Sequence, residues 1–175
     1  PCVAVAAPDP YTLYVPNFAS NAVNKWLYKK LPYDPQKDFA PVAMLTISPQ
    51  FLVVHPTVPA KSVKDLVRLA KASPGKLNYG SPGVGSPNHI AAELFRMEAG
   101  IQVVHVPFKG SAMSSLALLG GQTDYIFDAT AMTYVHAGKL RALAVAYTKR
   151  WPTEPNLPSM AELGYPRVSV EPFFA

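Results

Sequence analysis

The sequence predicts an α/β fold built on a mostly parallel β-sheet. Short β-branched and aromatic runs alternate along the chain with segments of about ten residues whose apolar side chains recur at helical spacing. The 19 prolines stand mainly between these segments, where they separate one element from the next. Strands that alternate with helices are typical of βαβ units, because two parallel strands need a crossover connection.

The first part of the chain predicts two strands and a helix. Residues 11–15 and 51–54 are short β-branched and aromatic runs, as expected of buried strands. Residues 62–72 have helical periodicity, with Ser62 and Asp65 placed as a capping pair at the helix start. The apolar face of this helix is formed by Val63, Leu66, Val67 and Ala70.

The rest of the chain continues the alternation. It predicts, in order, a turn at 73–76, a strand at 77–80, a helix at 86–99, a strand at 102–106, a helix at 111–119, a strand at 125–127, a short helix at 132–137 and a strand at 140–146. The helix over 86–99 has one apolar face, and Gly100 is a natural stop for it. That face consists of Ile90, Ala91, Leu94 and Phe95. Ser159 and Glu162 have the spacing of a capping box and predict a further short helix over 159–163.

The composition excludes several classes of function. The net charge of +5 comes from scattered Lys and Arg residues, without the clusters and interleaved aromatics that nucleic-acid binding needs. No apolar run is long enough to span a membrane. The single cysteine, Cys2, forms no internal disulfide or zinc cluster, and the 4 histidines lack metal-ligand spacing. We therefore expect a protein that is not embedded in a membrane and binds no nucleic acid, metal or cofactor, whereas its mild positive charge suits an acidic small ligand.

A glycine-rich turn joins the predicted strand at 77–80 to the helix at 86–99. Gly80, Gly83 and Gly85 allow the backbone to turn tightly and to approach a ligand closely. Ser86 and Pro87 then provide an N-cap residue and a proline at the first helical position. The free N–H groups and the dipole of such a helix start favour an anion. A plain capped turn would contain the same residues, so the stretch alone leaves both interpretations open.

Three further loops at element ends carry candidate ligand groups. In the loop at 106–111, Lys109 either meets a carboxylate or is a solvated charge, and the backbone N–H groups of Gly110 and Ser111 are the better ligand contacts. Asp128, after the strand at 125–127, suits a ligand amine or hydroxyl, or caps the next helix. The last of these loops holds the polar residues of 17–21.

Enzyme chemistry does not assemble from these residues. A serine nucleophile at Ser81 or Ser86 lacks the G-x-S-x-G elbow, and the position of His89 on the same helical turn favours packing or capping over general-base catalysis. Paired carboxylates for acid–base catalysis are missing from the loops. The G-x-G that begins at Gly83 has Asn88 in place of the third glycine of a dinucleotide fingerprint, so nucleotide binding is a weak alternative.

Four long motifs occur along the chain. They are YKKLPYDPQKDFAPVAML (28–45), VPAKSVKDLVRLAKASPGKLNYGSPGVGSPNHIAAELF (58–95), VVHVPFKGSAMSSLALLGGQTDYIFD (103–128) and AGKLRALAVAYTKRWPTEPNLPSMAELG (137–164). In this order they resemble the Bug family, the extracytoplasmic receptors of tripartite tricarboxylate transporters. The resemblance extends over nearly the whole chain, and it specifies the family but not the ligand.

The resemblance implies a periplasmic-binding-protein-like fold of type II, with two lobes that close on a ligand in the cleft between them. Residues 1–50 would form a partial first lobe, 51–160 a nearly complete second lobe, and 161–175 a segment returning towards the first. The implied function is that of a periplasmic receptor, not an enzyme, which captures a small carboxylate and delivers it to transporter membrane subunits. The alternatives are a ligand-sensing or interaction module derived from the family, or a non-functional fragment.

The resemblance also implies a set of ligand-binding residues. In the first lobe they are Asn17, Ser20 and Asn21, and in the second lobe Ser81, Gly83, Gly85, Ser86, His89, Lys109, Gly110, Ser111, Asp128 and Ala129. Relative to the family, the match is truncated at both ends, Pro10 stands where glycine is usual, and Phe108 replaces a tyrosine. Residues 1–10 lack the charged-then-apolar pattern of a signal peptide, so we expect none in this sequence.

Overall fold

The computed structural model of the protein describes residues 13–16 and 19–174. These residues form two compact units. Unit 1 comprises those up to Ser48 together with those from Pro172 onwards, and unit 2 is Pro49–Glu171. Among the described residues, the buried aliphatic and aromatic side chains of the core all lie in unit 2. Unit 2 is therefore the part with a hydrophobic core of its own.

Unit 1 has little regular structure. It contains a π-helical turn, Ala19–Val23, followed by the four-residue helix α1 (Asn24–Leu27). The strand β1 (Thr46–Ile47) pairs antiparallel with β7 (Phe173–Phe174).

The strand predicted at 11–15 is wrong where the structure describes it. Leu13, Tyr14 and Val15 form no strand, and residues 11 and 12 lie outside the described part of the chain. In that part, no neighbouring segment pairs with them. A β-branched and aromatic run forms a strand only when another backbone satisfies its N–H and C=O groups.

Unit 2 is built around a five-stranded sheet. Its elements are β2 (Phe51–Val54), α2 (Val63–Ala72), β3 (Asn78–Ser81), α3 (Pro87–Ala99), β4 (Val104–Pro107), α4 (Ser111–Leu119), β5 (Tyr125–Phe127), α5 (Met132–His136) and β6 (Arg141–Val145). The strand order is β4-β3-β5-β2-β6. The alternation predicted between residues 51 and 146 is confirmed, with element ends that shift by at most 2 residues.

The sheet is mixed, and one strand departs from the predicted parallel arrangement. β3 runs parallel to β4 and to β5, whereas β2 is antiparallel to both β5 and β6. β2 carries the chain into unit 2, and α2 leads from it to β3, which is not its neighbour. No single helical crossover therefore joins β2 to its neighbours β5 and β6, and it is such a crossover that makes two adjacent strands parallel.

Helices α3 and α4 pack on opposite faces of the sheet. Side chains alternate along a strand, so Tyr79 and Gly80 of β3 point to opposite sides. Tyr79 Oη donates to Glu93 of α3 at 2.6 Å. On the other side, a Cβ at Gly80 would come within 2.9 Å of Ser114 Oγ on α4. Glycine at this position therefore lets α4 approach the sheet closely.

The predicted starts of α2 and α3 are confirmed, but the buried face of α3 differs. Ser62 Oγ accepts a hydrogen bond from the Asp65 N–H at 3.1 Å, and the four predicted apolar residues of α2 are buried. In α3, Ile90 and Leu94 are only partly buried. The buried apolar residues there are Ala91, Ala92, Phe95 and Ala99. Alanines fill three of these four positions, and the buried face is rotated relative to the predicted one.

The short helix predicted at 159–163 is wrong. The capping bond forms, since the Glu162 N–H donates to Ser159 Oγ at 3.2 Å. After Ser159, the segment nevertheless contains only turns. Ser159 forms a β-bridge to Val145, and Gly164, with φ of 89°, closes the turn after a few residues. So short a segment cannot repay the cost of helix nucleation.

Candidate functional site

The carboxyl ends of three parallel strands meet at one edge of unit 2. β3 ends at Ser81, β4 at Pro107 and β5 at Phe127. The register aligns these ends, with Ser81 opposite Pro107 and Gly80 opposite Ile126. Helices α3 and α4 begin at the same edge, because each follows one of these strands after a short loop. In open α/β sheets, this edge is where ligands bind.

The glycine loop, residues 81–86, is held by hydrogen bonds of its own. Ser86 Oγ donates to the Gly83 carbonyl at 2.7 Å and accepts from the His89 N–H at 3.2 Å, which confirms the predicted cap of α3. Gly83 and Gly85 have φ of 145° and 79°, values that side-chain-bearing residues rarely adopt. The Gly85 N–H donates to His89 Nδ1 at 3.3 Å.

Ser81 braces the start of this loop. It is fully buried, and its Oγ lies 2.7 Å from His105 Nε2. The same oxygen accepts from the Gly83 N–H at 3.2 Å and lies 3.2 Å from the Gly83 carbonyl oxygen. A hydroxyl has one proton to donate, which goes either to the carbonyl or to the imidazole. In both cases Ser81 links the end of β3 to β4 and to the glycine loop.

Both helix starts leave backbone N–H groups without a partner among the described residues. Gly110, with φ of 105°, precedes α4 and provides no side-chain cap. Within the described residues, no hydrogen bond is made by the N–H groups of Asn88 in α3 and of Ser111, Ala112 and Met113 in α4. Such groups carry the partial positive charge of a helix start and are suited to hold an anion.

Asn88 joins the start of α3 to the end of β5. Its Nδ2 donates to the Phe127 carbonyl at 2.6 Å, and the residue is buried. The residue that departs from the dinucleotide fingerprint therefore has a structural role at this edge. Sequence reasoning missed this role, because the partner lies 39 residues further along the chain.

Asp128 is buried at the end of β5 with one oxygen unpaired. Its Oδ1 accepts from both the N–H and the Oγ1 of Thr130 at 2.8 Å, an Asx-turn just ahead of α5. Its Oδ2 makes no hydrogen bond to any described residue. Burial raises the pKa of this carboxyl, and hydrogen bonding from Thr130, together with the nearby Ser111 and Asn88 side chains, offsets only part of that rise. Oδ2 is thus an acceptor at the site edge without a partner in the described part of the chain.

Two histidines stack beside the glycine loop. Tyr79 lies between Tyr125 and His105 on the neighbouring strands, with ring centroids 5.6 and 4.8 Å away. His89 of α3 is 4.3 Å from His105. Sequence reasoning missed His105, because its place opposite Tyr79 is set by the pairing of β3 with β4.

A carboxylate on α3 extends this cluster. Glu93 accepts from Tyr79 Oη and pairs with Arg96 at 2.8 Å. Burial favours a higher pKa for Glu93, but the hydrogen bonds from Arg96 and Tyr79 outweigh it and hold the pKa below its usual value. Burial lowers the pKa of both imidazoles, and His89 lowers that of His105 further. Both rings are therefore neutral at neutral pH.

The other predicted site residues divide between the units. Lys109 is exposed and Ala129 half-buried, both in loops at the site edge of unit 2. In unit 1, the Ser20 carbonyl accepts from Tyr33 Oη at 2.8 Å. The Asn21 Oδ1 is buried without a hydrogen bond from any described residue. Asn17 lies outside the residues that the structure describes.

Comparison with known families identifies the class of the chain. The family described as tripartite tricarboxylate transporter family receptor matches residues 1–175. The chain belongs to this family of receptors. The resemblance seen in the four motifs is thereby confirmed. The receptor is 34% identical over 175 residues to the protein BugT of Bordetella pertussis, covering 98% of this chain and 54% of BugT. It spans about half the length of the curated relatives it matches.

Solved structures confirm the fold class of the receptor. The R. palustris protein Rpa4515, solved with adipate, superimposes with a TM-score of 0.91 at 35% identity, covering 99% of this chain and 59% of that one. MatC from Rhodopseudomonas palustris, solved with malate, superimposes with a TM-score of 0.85 at 32% identity, covering 99% of this chain and 60% of that one. The receptor has the α/β fold of periplasmic binding proteins and covers part of it. No helix in its described portion is long and apolar enough to cross a bilayer.

Proposed function

We propose that this receptor binds a small carboxylate at the edge of unit 2 where α3 and α4 begin. The observation that carries the proposal is the convergence of two helix starts whose N–H groups have no partner among the described residues. Each start favours an anion by roughly 0.3–1 kcal/mol at an exposed site. The adipate and malate bound to the two solved relatives support a dicarboxylate as the class of ligand.

In this proposal the backbone holds the carboxylate and the side chains shape its surroundings. The N–H groups of Asn88 and Ser111 donate to the carboxylate, while Ser81 and Ser86 keep the glycine loop in place. Asp128 Oδ2, which has no described partner, accepts from a hydroxyl or amine elsewhere on the ligand. A dicarboxylate that carries such a group satisfies both parts of the site.

The other predicted contacts remain part of the proposal. Exposed Lys109 adds a positive charge at the site edge, and the chain's net charge of +5 steers an anion towards the protein. Asn17, Ser20 and Asn21 remain predicted ligand contacts of the first lobe. The proposed function is capture rather than catalysis, which membership of a receptor family supports.

We place this capture in the periplasm, with delivery of the ligand to the membrane subunits of a tripartite transporter. Membership of the receptor family supports both the compartment and the partner. Delivery requires the ligand to be held by contacts that are individually weak and reversible. Hydrogen bonds from backbone N–H groups meet this requirement.

The first test is binding of adipate and of malate, measured by calorimetry and by thermal unfolding. A ligand at a hundredfold excess over its Kd stabilises the folded chain by about 2.7 kcal/mol, which raises the melting temperature. If neither compound binds to or stabilises the chain, carboxylate capture by this chain is contradicted.

A pair of variants at Ser111 tests the helix start itself. Proline is tolerated at the first helical position, and Gly110, with ψ of 163°, suits the residue before a proline. S111P removes both the hydroxyl and the N–H, whereas S111A removes the hydroxyl alone. We expect S111P to bind adipate about tenfold more weakly than S111A, since it loses one hydrogen bond to a charged group. Equal affinities in two variants of equal thermal stability would exclude this N–H as a ligand contact.

A further inference from the structure

His89 fastens the glycine loop through a lone pair. The Gly85 N–H donates to His89 Nδ1, so that nitrogen carries no proton and the neutral ring has its proton on Nε2. A proton added at Nδ1 would turn the acceptor into a donor that faces another donor. The loop bond therefore exists only with the neutral ring.

His105 supports the same loop from β4. Its Nε2 lies 2.7 Å from Ser81 Oγ, which in turn is within hydrogen-bonding distance of both backbone groups of Gly83. The two imidazoles are thus joined to the two ends of the glycine loop, His105 through Ser81 and His89 through Gly85. Any change at one ring reaches the loop through a single hydrogen bond.

The surroundings of the two rings disfavour a positive charge. The centroids are 4.3 Å apart, so a second proton on the pair meets the charge of the first. Tyr79 from β3 stacks on His105, and the ring of Tyr125 from β5 lies behind it. Glu93 on α3 favours protonation, but it is already occupied by Arg96 and Tyr79. The neutral pair is the state that this packing suits.

We infer that His89 and His105 are positioning residues that hold the glycine loop in its carboxylate-binding conformation only while both rings are neutral, so that acidification releases the loop and weakens binding. The inference rests on the proposed function, because it assigns a control to the same site. A proton on either imidazole also adds a positive charge that attracts the anionic ligand. This charge, however, arises behind the glycine loop and next to Glu93. The loss of loop geometry displaces the adjoining start of α3, where the Asn88 N–H meets the ligand, and outweighs this attraction.

The direction of the pH dependence follows from the pKa of each ring. Burial lowers both values from the ordinary 6.5, so the folded chain prefers the neutral rings. The two neutral rings support the loop fully above pH 6.5. This support is lost as the pH falls through the lowered pKa values of the rings.

The test compares the Kd for adipate at about pH 7.5 and about pH 5.5 in the wild type and in H89N and H89L. Adipate takes up protons itself towards the lower pH, but its own titration is common to all the proteins and cancels in the comparison between them. Asparagine places an amide oxygen near the position of Nδ1 and cannot be protonated, whereas leucine removes the acceptor. H136N is the matched control, since His136 is exposed on α5 and pairs with Glu154.

We expect H89N to keep, on acidification, whatever affinity it has at the higher pH, because its amide takes no proton. The wild type and H136N should lose about three- to tenfold more affinity than H89N, the factor that corresponds to one hydrogen bond. H89L should bind adipate weakly at both pH values. H105Q should also show a reduced pH dependence, because its amide replaces Nε2 without taking a proton.

An NMR titration of the ligand-free chain separates the failure of this inference from that of the proposed function. The amide signal of Gly85 should titrate together with the His89 ring in the wild type and remain constant in H89N. A Gly85 signal independent of His89, or wild-type and H89N affinities that fall in parallel, would overturn the inference. If Gly85 titrates as expected but neither adipate nor malate binds at any pH, the proposed function is overturned instead.

Discussion

At Asp128, one carboxylate both fastens the backbone and leaves an acceptor free. Oδ1 takes two hydrogen bonds from Thr130, while Oδ2 is buried without a described partner. An unpaired buried oxygen costs on the order of 1–3 kcal/mol, so the residue is unfavourable to the stability of the ligand-free chain. A group of this kind is expected where a ligand completes the hydrogen bonding, because function and stability are often opposed at binding sites.

Replacing Asp128 by asparagine tests this cost through its pH dependence. The folded-state pKa of Asp128 is raised above its ordinary 3.8 by burial, so folding disfavours the ionised form. The penalty is present above the folded-state pKa and disappears as the pH falls through it towards 3.8. We expect D128N to gain on the order of 1 kcal/mol relative to the wild type at neutral pH and to lose that gain near pH 4. Urea unfolding at both pH values measures the difference, and a gain independent of pH would contradict the assignment.

At the scale of elements, the same capping residue has different consequences in α2 and α3. Ser62 and Ser86 each accept a hydrogen bond from the N–H three residues later. Ser86 Oγ also donates to the Gly83 carbonyl at 2.7 Å, so it shapes the glycine loop as well as the helix start. Ser62 has no role at the site edge, since α2 follows the antiparallel strand β2.

This difference yields a matched pair of variants. S62A and S86A should each lower the free energy of unfolding by about 1 kcal/mol, the usual cost of removing an N-cap. S86A alone should also weaken adipate binding, because the loop loses its bond to the Gly83 carbonyl. Urea unfolding and calorimetry measure the two effects. Equal losses of affinity in S62A and S86A would show that binding follows overall stability rather than loop geometry.

The elements that sequence reasoning predicted are those whose signals are local. The cap at Ser62, the Ser86-Pro87 helix start and the apolar run of β5 each lie within a few neighbouring residues, and the structure confirms them. The run at 13–15 and the capping box at Ser159 are equally local, yet they form no strand or helix. Strand partners and helix propagation depend on the rest of the chain, and no short pattern encodes them.

The candidate site was predictable to the same extent. The glycine loop and Gly110 were recognisable, because φ above zero and a helix start have characteristic residues. The bond between Ser81 and His105, in contrast, spans 24 residues, and the one from Asn88 to Phe127 spans 39. These contacts depend on the register of β3 with β4 and β5. Sequence reasoning therefore predicted the local turns of the candidate site, and the structure was needed to show how those turns are held.

At the scale of the whole molecule, the two units differ in how much apolar surface they bury. Unit 2 contains a continuous core that includes Phe51, Val53, Leu118 and Ile126. In unit 1, the helix α1 has no buried residue, and Trp26 is 84% exposed. Apolar burial is the main source of folding free energy, so unit 2 has by far the larger share of the stability that these residues provide.

Limited proteolysis should therefore separate the units. Trypsin cleaves where the backbone opens locally at little cost, and opening costs least where few apolar contacts are lost. We expect the first cuts at Lys25, Lys29, Lys30 or Lys37, followed by the persistence of a fragment that contains residues 49–171. Intact-mass spectrometry over a time course identifies these products, and digestion in urea provides the control, since every site is then open. First cuts between α2 and β6 would contradict the assignment of the stable core to unit 2.

Saturating adipate should slow cleavage at Lys109 more than at Lys25, because Lys109 lies at the proposed binding edge.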